Sequence, residues 1–128
     1  MRKKVTVVGA GNVGATTAQR IYDGGYADVV LIDIVEGLPQ GKALDLSQSS
    51  TIEGFNSKIN GSNNFSSMKN ADVVIVTAGL QRRPGMKRDD LVGKNSLIIK
   101  EVGKAINKYC PKAFVICITN PLDAMVSI

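Results

Sequence analysis

Four short aliphatic runs, helix-length stretches between them, and a glycine-rich turn directly after the first run predict a doubly wound α/β fold built on a parallel sheet. The runs are residues 5–8, 29–32, 73–76 and 114–118, each four or five residues long and rich in β-branched side chains. None of them reads as a strict apolar–polar alternation. That is the pattern of strands covered on both faces. Right-handed crossovers between such strands give an expected order of 3-2-1-4-5.

The first strand, 5–8, runs into Gly9-Ala10-Gly11-Asn12-Val13-Gly14, and a helix is expected over 13–23. The spacing is G-x-G-x-x-G. Gly9 suits a tight turn, Gly11 lets backbone approach a pyrophosphate, and Gly14 allows the helix to pack close to the strand. Amides at the helix N-terminus then face the anionic phosphates. The pattern alone is weak, because glycine triplets also occur in plain turns. Its setting between a strand and a helix raises it to a Rossmann-type dinucleotide site.

The second strand, 29–32, ends at Asp33, 19 positions after Gly14. A carboxylate there accepts hydrogen bonds from the adenine-ribose hydroxyls and repels a 2′-phosphate. Ile34 and Val35 follow, with no arginine to neutralise such a phosphate, so NAD is preferred to NADP. Helix 40–49 comes next, then a weaker strand near 58–60. Asp45 and Asp72 read as surface or capping residues.

Strand 73–76 leads into a basic loop, Gly79-Leu80-Gln81-Arg82-Arg83-Pro84-Gly85-Met86-Lys87-Arg88. In the expected strand order it lies at the carboxyl end of the sheet, where ligands of open α/β sheets bind. A guanidinium matches a carboxylate bidentately, so such a loop suits closure over an anionic substrate. By itself, a solvated basic loop is the simpler reading. The long helix over 89–109 carries Leu91, Ile98, Val102, Ala105 and Tyr109 at three- and four-residue steps, and Pro111 stops the helix soon after. Strand 114–118 then leads to Thr119-Asn120-Pro121 and a fresh apolar turn with no cap. An independent domain seldom stops there, which reads as a fragment.

Composition agrees with this organisation. The 128 residues carry 44% hydrophobic and 21% charged side chains, enough aliphatic content to exclude disorder and to build one buried core. No apolar stretch approaches a membrane span. The basic start at Arg2-Lys3-Lys4 is followed by too short an apolar run for a signal peptide, so a cytoplasmic location is expected. A net charge of +5 permits nucleic-acid binding, yet the basic residues are scattered without aromatic interleaving, and no such partner is expected. Cys110 and Cys117 read as inert structural thiols, and no metal site is expected. There is no histidine. A mechanism that needs a histidine base is not completed by these residues.

Taken together, the glycine loop, the stretch from Asp33 through Pro39 to Asp45, the arginine loop and Ile118-Thr119-Asn120-Pro121-Leu122-Asp123 resemble the NAD-dependent malate dehydrogenases of the lactate-dehydrogenase-like type. The resemblance extends over residues 1–128, which it implies to be an NAD-binding Rossmann domain lacking its substrate and catalytic domain. It implies that Gly9, Ala10, Gly11, Asn12, Val13, Gly14, Asp33, Asn95, Ile118, Thr119 and Asn120 contact NAD. It implies that Arg82 binds the distal carboxylate of malate or oxaloacetate, that Arg88 polarises the reacting carbonyl, and that Asn120 bonds the substrate oxygen. Read without the resemblance, Asn95 is a tolerated polar helix residue and Asn120 a turn former. Arg83 receives no role. Family members run more than twice this length, and their second half holds a catalytic His–Asp pair. The intact protein is therefore expected to be an oxidoreductase of the tricarboxylic acid cycle and a homodimer or homotetramer. This part alone is expected to be inactive. Two rivals stay open: a lactate or other 2-hydroxyacid dehydrogenase, and a non-catalytic NAD-binding module.

Overall fold

The computed structural model describes residues 3–25, 27–49, 58–77 and 88–118. Five parallel strands form one sheet in the order β3-β2-β1-β4-β5, as the sequence predicts. In chain order the elements are β1 (Lys4–Val8), α1 (Asn12–Asp23), β2 (Asp28–Ile32), α2 (Leu38–Ser49), β3 (Ile59–Ser62), a 3₁₀ turn (Phe65–Met68), β4 (Val73–Val76), α3 (Arg88–Tyr109) and β5 (Phe114–Cys117). The expected elements are all present, with ends shifted by one or two residues. The 3₁₀ turn is an addition. Pro39 lies inside α2, in the first turn, where a missing N–H costs nothing because no helical acceptor precedes it.

Register follows from the central strand. Val8 pairs with Ile32 on one side and with Val76 on the other. Successive side chains of a strand point to opposite faces, so two cores form. Val5, Val7, Val29, Leu31 and Ile75 pack with Ala18, Tyr22 and Ala43 on the face of α1 and α2. Val8, Ile32, Val74 and Val76 pack with Met68, Val102 and Ala105 on the face of α3 and the 3₁₀ turn. Each fully buried valine or leucine contributes about 1.5–3 kcal/mol by leaving water. One polar side chain is caught between these layers: Thr6 is fully buried, and its hydroxyl has no partner among the described residues.

Chain direction across the sheet reverses beside β1. The connection through α1 and α2 builds outward to β3 on one side, and the chain then crosses to β4 and β5 on the other. The carboxyl ends of β1 and β4 therefore flank a crevice at the switch point. Asp72 ties the opposite end, its Oδ2 accepting the Lys4 amide at 2.9 Å. Asp72 is exposed, in line with the expected surface or capping residue.

One expectation about burial does not hold. Residues 114–118 read as a strand covered on both faces, but Phe114, Val115 and Ile116 are exposed, Phe114 by 68%. The reason lies in position. Among the described residues β5 is an edge strand hydrogen-bonded to β4 alone, and an aliphatic run reports β-propensity without saying what covers it. Both cysteines are free; Cys110 is buried and Cys117 half-buried. Burial pushes the Cys110 thiol up from its ordinary value, with the nearby Lys4 ammonium opposing, so the unreactive thiol form is favoured.

Candidate cofactor-binding site

At the carboxyl end of β1 the chain turns through Gly9, whose φ of 111° is a conformation side chains rarely adopt. The Gly9 amide donates to the carbonyl of Ile32 at 2.6 Å. Helix α1 begins at Asn12 with Gly11 at its N-cap and no capping side chain. Its first intrahelical bond runs from the Ala15 amide to the Gly11 carbonyl. The amides of Asn12, Val13 and Gly14 thus precede the helical ladder, and the first turn carries no acidic residue. A Cβ on Gly11 would meet no described residue within 4 Å, so this side of the loop is open toward them. Open backbone at an uncapped, positively polarised helix end fits a pyrophosphate.

Gly14 explains the last glycine of the motif. A Cβ there would collide with the Gly9 carbonyl and come to 2.7 Å from Oγ1 of Thr77. Helix and strand approach too closely for any side chain. Thr77, the residue after β4, holds the same corner. Its amide donates to the Val8 carbonyl at 2.8 Å, while its hydroxyl reaches the carbonyls of Val8 at 3.1 Å and Gly9 at 3.2 Å.

Asp33 lies just past β2, half-buried, beside this loop. Its Oδ2 accepts the Ala10 amide at 2.7 Å and its Oδ1 accepts the Val35 amide at 3.0 Å. An ionised carboxylate has about four acceptor positions. Two are used, and the remaining lone pairs stay available for a vicinal diol. Ile34, 79% exposed, and Val35, 55% exposed, continue from the carboxylate as apolar surface. This donor and acceptor set fits NAD: amides for the phosphates, a carboxylate for the ribose, apolar side chains beside it.

The structure brings Gly9, Ala10, Gly11, Asn12, Val13, Gly14 and Asp33 together at one end of the sheet. Ile118 is near this end as well, its amide donating to the Val76 carbonyl at 2.9 Å. Arg88 is the first residue of α3, and Asn95 lies about two turns further along; their side chains fall outside what is described. Arg82, Thr119 and Asn120 also lie outside the described residues. Sequence reasoning missed Thr77 and Asn63. The Asn63 side-chain amide donates to the carbonyls of Asp33 at 2.8 Å and Val35 at 2.9 Å. Neither residue belongs to the glycine motif, and each lies next to it only through strand order.

Comparison with known proteins agrees with this geometry. The sequence model of the lactate/malate dehydrogenase NAD binding domain matches residues 3–128. A malate dehydrogenase of Francisella tularensis subsp. tularensis is 56% identical over 126 residues, covering 98% of this chain and 40% of that protein. The crystal structure of Cryptosporidium parvum malate dehydrogenase superposes with a TM-score of 0.92 at 52% identity, covering 98% of this chain and 40% of that one. The lactate dehydrogenase of the same organism, solved with lactic acid and nicotinamide adenine dinucleotide, gives 0.92 at 47% identity, covering 99% and 40%. The chain thus spans about two fifths of the length of these relatives. Over that span, it belongs to the NAD-binding domain family of the lactate and malate dehydrogenases.

Proposed function

We propose that residues 1–128 form the NAD-binding domain of a malate dehydrogenase, which in the intact protein interconverts malate and oxaloacetate. The observation that carries the cofactor side is the Asp33 carboxylate bonded to the phosphate loop at Ala10. The amides of Asn12, Val13 and Gly14 neutralise the pyrophosphate, and Asp33 takes the adenine ribose. Asn95 contacts the cofactor, and Ile118, Thr119 and Asn120 line its nicotinamide side. NAD, when bound, supplies the hydride acceptor for the C2 of malate.

The chain's own residues supply substrate charge and orientation. Arg82 pairs with the distal carboxylate, Arg88 stabilises negative charge developing on the reacting oxygen, and Asn120 donates to that oxygen. The chain contains no histidine, and in this reading the group that takes the hydroxyl proton belongs to the rest of the intact protein. A cytoplasmic homodimer or homotetramer belongs to the same reading; no helix among the described residues is long and apolar enough to cross a membrane.

A lactate or related 2-hydroxyacid dehydrogenase is the second reading, favoured by the high likeness to lactate dehydrogenase structures. Arg82 weighs against it, because pyruvate has no second carboxylate to pair. The test is steady-state reduction of oxaloacetate and of pyruvate by the intact protein with NADH. Faster kcat/KM for oxaloacetate supports malate; faster pyruvate turnover supports the second reading.

A further inference from the structure

The turn that presents Asp33 is held from outside itself. Asn63, half-buried just past β3, donates both N–H groups of its side-chain amide, one to the carbonyl of Asp33 and one to that of Val35. Only the NH₂ end of an amide satisfies two carbonyls. The two carbonyls thus fix which end faces the turn, and Gln40 on α2 braces the other end, its Nε2 donating to Oδ1 of Asn63 at 2.6 Å. Gln40 is within reach because Gly61 lets the start of α2 lie directly on β3: a Cβ on Gly61 would collide with the Pro39 carbonyl group and the Gln40 amide nitrogen. Ser62 completes the clamp by accepting the Asp33 amide at 3.2 Å.

These bonds bracket one residue. The carbonyls at 33 and 35 are fixed by Asn63, while the Asp33 carboxylate is fixed by the amides of Ala10 and Val35. The backbone of Asp33 therefore has little freedom to rotate its carboxylate away from the phosphate loop. A plain turn would be held by its own residues. Here a holding group comes from just past β3, about thirty positions away.

We propose that Asn63, braced by Gln40, is a positioning residue for the ribose carboxylate and thereby sets discrimination between a ribose 2′-hydroxyl and a 2′-phosphate. This inference rests on the NAD reading of the same site. Recognition of a vicinal diol by one carboxylate needs placement within a fraction of an ångström, and a 1 Å drift loses it. Repulsion of a 2′-phosphate depends on the same placement.

The test is direct binding of NADH and NADPH to the intact protein, by fluorescence titration or calorimetry, with Asn63→Leu, Gln40→Leu, Asp33→Ser and the Asn63→Leu/Asp33→Ser double variant. Asn63→Leu is expected to weaken NADH by about tenfold, the value of one hydrogen bond in the site, while NADPH changes by less than about twofold. Gln40→Leu, at an exposed helix position, is expected to move the ratio in the same direction by about threefold, and it carries the comparison if Asn63→Leu fails to fold. With serine at position 33, removing Asn63 should add less than about twofold, because residues acting through one group are non-additive. KM for NADH should rise in Asn63→Leu with kcat unchanged. Equal weakening of both nucleotides, or full additivity with Asp33→Ser, overturns the proposal and leaves Asn63 a general support of the fold. Failure of the unaltered protein to bind NADH overturns the cofactor reading itself, and this inference falls with it.

Discussion

The amide of Ala10 donates to Oδ2 of Asp33 at 2.7 Å, so the glycine loop and the carboxylate we propose for the ribose form one bonded unit across two strands. Their separation in sequence hides this. The bond is charge-assisted and half-buried, which makes it stronger than an ordinary backbone bond.

Asp33→Ser is therefore expected to act twice, removing the diol acceptor and releasing Ala10. In the intact protein the ratio of kcat/KM for NAD to that for NADP should fall by about one to two orders of magnitude, as expected when a charged hydrogen-bonding group worth 1.5–3 kcal/mol is lost. An unchanged ratio would show that Asp33 does not hold the ribose.

Gly14→Ala places a methyl where the Gly9 carbonyl already lies. The neighbour is backbone and cannot rotate aside. We expect a loss of about 1–3 kcal/mol from overpacking, read as a lower denaturation midpoint, together with weaker NADH binding because the loop must open.

Thr77→Val keeps the shape and removes the hydroxyl that bridges Val8 and Gly9. The backbone bond from the Thr77 amide to Val8 remains. Stability should fall by about 1 kcal/mol, with a several-fold rise in KM for NADH and little change in kcat. A change in kcat alone would contradict a role at the phosphate loop.

Thr6→Val is expected to act in the opposite direction. The hydroxyl is buried without a partner among the described residues, and leaving such a group unmade costs about 1–3 kcal/mol. The variant should unfold at higher denaturant concentration, with the NADH affinity unaltered.

Much of this was legible in the sequence because the signals are local. An aliphatic run of four between turn residues marks a buried strand, and the 3.6-residue stripe from Ile98 through Val102 and Ala105 marks the buried face of α3. The spacing of Gly9, Gly11, Gly14 and Asp33 encodes a strand, turn, helix and second strand, and the structure has those elements there. Asn63 and Thr77 were not legible in this way, because their roles exist only after β3 and β4 are set beside β2 and β1. Asn63 in Gly61-Ser62-Asn63-Asn64 looks like any turn former. The exposure of Phe114 among the described residues was equally hidden, since hydropathy does not record what lies beside or over a strand.

The central claim is that this chain serves a malate rather than a lactate enzyme, and it depends most on Arg82. Oxaloacetate has a second carboxylate that pyruvate lacks, and a desolvated carboxylate needs a cation beside it. The deciding measurement is kcat/KM for oxaloacetate and pyruvate in the intact protein and in its Arg82→Gln variant. The account predicts that oxaloacetate turnover falls by roughly two to four orders of magnitude, the equivalent of about 3–5 kcal/mol for a broken buried pair, while pyruvate turnover holds or rises. Equal slowing of both substrates would contradict the assignment of Arg82 to the distal carboxylate, and with it the reading as a malate dehydrogenase.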